Sequence, residues 1–238
     1  MNTTMVGQEV TARPARRAGG DRDQCTAEGR VARSLLGYGI IAGPFYVAVS
    51  LAQAVTRDGF DLSRHEWSLL ANGPGGWLQT TNLIVSGVMV ALAAVGFHRV
   101  LPTGTGARWA PRLLAVYGAG LAAAGMFRAD PMNGFPAGTP DGPPAHPSLH
   151  GTLHVAAAGV GFLALIAATW VLANRFRQDG HRRWSVFTRA TGVLFLAAFA
   201  GIASGSSAPA TNLALTTAVV LTWVWLSLTS ARLYRTIL

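Results

Sequence analysis

The feature that most limits how this chain can fold is the absence of charge over long stretches. No Asp, Glu, Lys or Arg occurs over 34–56, 67–98, 113–127, 142–174 or 190–231. Only 12% of residues are charged and half are hydrophobic, against about a quarter charged in an average soluble domain. A helix crosses a hydrocarbon core of roughly 30 Å with about 20 apolar residues rising about 1.5 Å each, so such stretches belong in lipid. The last is too long for one span and is broken by the turn-forming "SGSSAPATN" at 204–212. The pattern predicts an all-α integral membrane protein: a six-transmembrane-helix bundle with helices near 35–56, 79–99, 110–128, 148–173, 185–204 and 211–233.

All nineteen basic residues are Arg, and their placement orients the bundle. With six spans, both termini share one side with segments 99–112 and 174–189. The opposite side holds only Arg57, Arg64 and Arg128, leaving sixteen of the nineteen on the terminal side. An excess of Arg near span ends marks the cytoplasmic face, so both termini are expected in the cytoplasm and the protein in the cell membrane. The same distribution argues against nucleic acid as a partner, despite a net charge of +9. Residues 1–33 lack the apolar core of a signal peptide and read as a disordered, Arg-rich cytoplasmic tail before a membrane domain at 34–238.

This topology collects the unusual polar residues at the outer ends of the helices, where two long loops form a lid. The first loop reads "RDGFDLSRHEWSLLANGPGGWLQTTN" (57–82) and the second region "GMFRADPMNGFPAGTPDGPPAHPSLHGTLH" (125–154). Pro147 suits the first position of helix four. His150 and His154 then stand one turn apart on one face, a spacing that can give two nitrogens to one metal. Asp130 ends helix three close by, and His65 and Glu66 lie in the other loop. Three histidines and a carboxylate suit a zinc site with an open position for water. The expected ligands are therefore His65, His150 and His154, with Asp130 or Glu66 as general base. Asp130 has a structural alternative: an Asp before Pro caps turns, and Arg128 is a potential ion-pair partner. Arg64, Trp67, Trp77, Gln79, Asn82 and Asn212 are candidates to line a polar outer pocket, although the two tryptophans equally suit anchoring in headgroups and the amides suit interhelical hydrogen bonds. The spaced glycines of "GAGLAAAG" (118–125) read as a helix-packing surface.

The strings "GFDLSRHEWSLLANGPGGWLQTTN" (59–82), "GMFRADPMNGFPAGTP" (125–140) and "HGTLH" (150–154), in this order, resemble a family of bacterial and archaeal multi-pass membrane proteins, domain of unknown function 998 (DUF998). The resemblance covers roughly 35–235 and implies a compact bundle of about six helices, without implying an activity. Its motif positions include Arg64, His65, Trp77, Gln79, Asn82, Asp130, His150, Gly151 and His154. A looser similarity is to the membrane hydrolases that include alkaline ceramidases and adiponectin-type receptors, in which an HxxxH pair, a further His and an Asp surround zinc. This chain departs from them in its number of spans and in carrying HxxxH on the fourth helix.

The leading expectation is metal-assisted hydrolysis of a lipid-like substrate, with Zn as cofactor and membrane lipids as surroundings. One alternative is a metal-free enzyme, such as a membrane-bound isoprenoid or terpene cyclase, with Asp130 as general acid. Another is a non-enzymatic lipid or small-molecule binding protein or transporter. No charge falls at the centre of a span, as ion-coupled transport usually needs, and no polar pocket is evident at the inner end.

Overall fold

In a computed structural model the chain is described over residues 16–237. Six helices follow one another: α1 (Arg16–Thr56), α2 (Gly76–Val100), α3 (Thr105–Met126), α4 (Leu149–Gln178), α5 (Arg182–Ala203) and α6 (Pro209–Arg235). One short 3-10 helix, Trp67–Ala71, lies between α1 and α2. Each helix packs on the next in the chain and α1 closes the ring against α6. No strand occurs among the described residues, which carry only an isolated Met132–Phe135 bridge.

Five helices are long and apolar enough to cross a membrane, and the chain is a multi-pass membrane protein. Among the six, α3 is the exception because Arg108, Pro111 and Arg112 fall in its first turns and small residues fill much of the rest. It nevertheless packs between α2 and α4 at a similar length.

The expected tail is corrected in part. Residues 16–33 continue α1 as helix, while 1–15 lie outside the described residues. A helix already nucleated extends at one hydrogen bond per residue added, and no proline interrupts the chain from Arg16 to Pro44. The start of α4 also differs. Pro147 is not its first residue; Ser148 is the N-cap, with its side chain accepting from the Gly151 N–H, and the helix begins at Leu149.

The glycines of 118–125 let neighbouring backbones touch. A Cβ on Gly87 of α2 would stand 2.5 Å from the Gly118 carbonyl oxygen, and one on Gly118 2.6 Å from that of Gly87. Next to them, a Cβ on Gly120 would meet the Gly161 Cα of α4 at 2.9 Å. Such small-residue crossings bring helices close enough for dispersion contacts in a solvent as apolar as themselves. Between α1 and α2 the contact is polar: Gln79 Oε1 accepts from Gln53 Nε2 (2.8 Å), Ser50 Oγ (3.3 Å) and Asn82 Nδ2 (3.2 Å). This ladder of buried amides and hydroxyls holds the two helices together where water cannot serve.

Candidate functional site

The two long loops interlock over one end of the ring. Arg64 pairs with Asp141 (2.6 Å) and its carbonyl accepts from Asn133 Nδ2. Arg57 donates to the Leu70 and Asn72 carbonyls, and its guanidinium lies over the Phe135 ring. Asn72 Nδ2 donates to the Ala129 carbonyl, and Asn212 Nδ2, at the start of α6, donates to that of Leu62. Asn212 and Arg64 therefore tie the cap together. Trp77 stands outside it, 67% exposed.

His65 is the centre of this cap. It is 1% exposed and packs against Phe60 and Phe135. The Asp61 N–H donates to its Nδ1 (2.9 Å), so the proton sits on Nε2, which donates to the Asn133 carbonyl (2.9 Å). Both ring nitrogens are spent on backbone partners from the two loops, and no lone pair remains for a metal.

Asp130 is also engaged. Its carboxylate accepts from the Ser148 N–H (2.9 Å) and the Ser148 hydroxyl (2.5 Å), and that hydroxyl accepts from the Gly151 N–H (2.9 Å). The end of α3 is thereby fastened to the N-terminus of α4, where a negative charge is favoured. Position 151 must be glycine for this geometry, because a Cβ there would fall inside contact distance of the Asp130 carboxylate.

Beneath the cap lies a cavity of about 550 Å³. Tyr46, Tyr117 and Trp223 line its deep part, and Phe162, Phe195 and Phe199 its α4–α5 side. Glu66, Trp67 and Ser68 line it from the first loop and its 3-10 helix, and His154 from the first turns of α4. Asp130, Gln79, Asn82 and Asn212 are not among its lining. His154 is 5% exposed. Its Nδ1 lies 2.8 Å from both the Ala124 and Phe127 carbonyls. Carbonyls only accept, so Nδ1 carries the proton and the lone pair is on Nε2, which has no hydrogen-bond partner among the described residues. The Glu66 carboxyl is met only by its own backbone N–H, with no partner on another residue. Burial pushes its pKa up from the usual carboxylate range, opposed by its own backbone N–H and the nearby His65 and His154. An apolar chamber whose only ionisable side chains other than tyrosine are one carboxyl and one imidazole is suited to hold an apolar molecule by a polar end.

A family model described as "Protein of unknown function (DUF998)" matches residues 40–232. The chain belongs to the DUF998 family. No curated protein and no solved structure matches it.

The donor geometry does not assemble the three-histidine zinc site expected for this DUF998 chain. His65 has no free nitrogen, and His150 is exposed at the mouth of α4, its ring steeply inclined to that of Phe127. Among the described residues no three His, Cys, Asp or Glu side chains form a metal-holding group. His154 Nε2 and Glu66 remain, fewer than the three protein ligands of a catalytic zinc. The acid of the cyclase alternative is misplaced in the same way, since Asp130 faces Ser148 and Glu66 faces the cavity.

At the opposite end a second cavity, about 710 Å³, is lined by Arg99, Arg175, Arg232, His181, Glu28 and Asp179 among others. A polar pocket is therefore present at the Arg-rich end, contrary to the sequence reading. Its polar residues come from distant helix ends, which no local pattern reveals. By helix register, the fully buried Leu36, Leu114, Leu165 and Leu226 fill the levels between the two cavities.

Most of the cavity lining escaped the sequence reading, Tyr46, Tyr117 and Trp223 among it. For the two tyrosines the one signal available was a phenol placed mid-span, about 15 Å of helix from the nearest loop.

Proposed function

We propose that this protein is a six-span membrane protein, both termini cytoplasmic, that binds one apolar, lipid-like molecule in the capped cavity. Its polar end rests against Glu66 and His154 and its apolar body lies between Tyr46, Tyr117 and Trp223. The observation that carries this reading is a pair of polar groups with no hydrogen-bond partner on another residue, the Glu66 carboxyl and His154 Nε2, in a largely apolar chamber. Buried polar groups ordinarily find partners, and a ligand supplies them. The excess of Arg at the end away from the cap, sixteen residues against three, supports an outward-facing site.

Native mass spectrometry of protein released from its own membranes in mild detergent tests the reading. A bound species should accompany the wild type and be lost from Ala158→Phe, which fills the lining. A wild type that flies only as the bare chain, under conditions that retain lipid on a control protein, would contradict it.

A second reading is favoured by the aromatic walls. Glu66, kept protonated more readily by burial, would give its proton to a carbon–carbon double bond, and the ring faces would stabilise the resulting cation. That cation would return a proton from a neighbouring carbon to the Glu66 carboxylate, leaving an isomerised or cyclised alkene. In that case deuterium from heavy water enters the bound molecule in the wild type and not in Glu66→Gln. Equal uptake by both would end this second reading.

A further inference from the structure

We propose that the cavity takes up a membrane lipid with an uncharged or amine-bearing head, admitted sideways from the bilayer through a cleft between the cap-side ends of α4 and α5. This rests on reading the cavity as a lipid-like ligand site and adds the class of ligand and its route.

The cleft follows from how the helices are fastened. At the cap end α4 is tied to α3 through Asp130, Ser148 and Gly151. There α5 is tied to α6, where a Cβ on Gly201 would meet Thr211 Cγ2 at 2.9 Å. The link between α4 and α5 is at the far end, in the turn at 179–181. Their side-chain contacts run from Asn174–Arg189, through Thr169 against Gly192, up to Phe162 against Phe195 and Phe199. Beyond that level Val155, Ala158 and Gly159 of α4 and Ile202 and Ala203 of α5 all line the cavity, yet none is buried. Val155 is 68% exposed, and a Cβ on Gly159 would meet nothing within 4 Å. The facing wall is closed, since Tyr46, Leu83, Tyr117, Leu121 and Ala124 are buried. The opening spans roughly 9–15 Å along α4 from Leu149, at about 1.5 Å per residue. That depth is reached by acyl chains.

The head class follows from charge. No Arg lines the cavity, and Glu66 does. At the N-terminus of α4 the Gly151 N–H is already taken by the Ser148 side chain, and the Asp130 carboxylate behind it repels an anion. A phosphate would be desolvated beside a carboxyl with no cation to compensate, a costly burial. A hydroxyl or amine instead donates to His154 Nε2 or the Glu66 carboxyl.

Photolabelling tests route and class together. The protein is reconstituted in phosphatidylcholine vesicles containing, in separate preparations, a diazirine-tailed fatty alcohol, fatty amine or phosphatidylglycerol. After irradiation, labelled residues are mapped by peptide mass spectrometry. The alcohol and amine should label Tyr117 or Trp223, while the phosphatidylglycerol should label only outward residues such as Val160 and Leu163. Gly159→Phe should abolish labelling of Tyr117 and Trp223 and leave Leu163 labelling unchanged. Cavity labelling undiminished in Gly159→Phe overturns the lateral route while the ligand site stands. Cavity labelling by phosphatidylglycerol overturns the head class. No cavity labelling from any of the three in the wild type removes the ligand site itself. Should Gly159→Phe not fold, Val155→Trp narrows the same cleft from an exposed position and gives the same comparison.

Discussion

Asp130→Ala should behave as the loss of a clamp. The substitution removes two hydrogen bonds to Ser148, one from its N–H and one from its hydroxyl. Hydrogen bonds to a charged partner contribute about 1.5–3 kcal/mol each when buried. Asp130 is half-buried and Ser148 is exposed, so about 1.5 kcal/mol for the pair is the sound figure, discounted for solvent. The capping of Gly151 by Ser148 contributes about 1 kcal/mol more, part of which survives without Asp130. The expected cost is therefore about 2 kcal/mol, or a fall of roughly 4–8 °C in melting temperature for a chain of this size. Intrinsic tryptophan fluorescence in detergent during a thermal ramp measures it. Gly151→Ala supplies the decisive comparison. In the wild type its Cβ collides with the Asp130 carboxylate, whereas in the Asp130→Ala background the obstacle is gone. Gly151→Ala should therefore destabilise the wild type and cost much less in Asp130→Ala, the non-additivity expected of touching residues. An Asp130→Ala protein with unchanged melting temperature, or strictly additive effects, would refute the clamp and reopen a chemical role for Asp130.

Other expectations follow from the same contacts. His65→Phe strands the Asp61 N–H and Asn133 carbonyl and should cost about 2–4 kcal/mol, whereas Arg64→Ala, losing an exposed ion pair, should cost less than about 1 kcal/mol; thermal ramps of both variants check the order. Glu66 has a raised pKa in the folded protein, so the fold holds its proton more tightly than the unfolded chain. Wild-type stability should therefore fall as pH rises from the ordinary carboxylate range through the higher folded value, and Glu66→Gln should flatten that slope in melting temperature against pH. Gly87→Val forces α2 off α3 at the Gly118 carbonyl and should melt lower than Gly159→Val, whose side chain meets open space.

The helical plan was legible because charge and turn residues delimit apolar runs physically. Three of the six expected spans lie wholly inside observed helices; 148–173 and 185–204 each overrun theirs by one residue, and 110–128 overruns α3 by two. The early start of α1 was not legible, since residues 16–33 carry no apolar run and their helix continues that of the span. The meeting of Asp130 with the start of α4 was foreseen from its place at the end of helix three, directly before the loop that returns to helix four. Roles were harder to read. His65 is held by backbone groups of Asp61 and Asn133, and every residue offers such groups, so no pattern of side chains betrays them. His150 and His154 share a helix as expected, yet differ in fate because α4 begins at Leu149. His150 is left at the rim and His154 lies one turn further in, under the carbonyls that end α3. Tyr46, Tyr117 and Trp223 meet only through the closure of the ring, which sequence spacing does not encode.

The central claim is that the capped cavity holds a lipid-like molecule against Glu66 and His154. Cryo-electron microscopy of the protein in nanodiscs made from its native lipids tests this most directly. The account predicts an elongated density between Tyr117 and Trp223 whose head lies within hydrogen-bond distance of His154 Nε2 or the Glu66 carboxyl. A cavity of the same shape at comparable resolution, filled only by water peaks or closed by the Tyr46, Tyr117 and Trp223 rings, would contradict it.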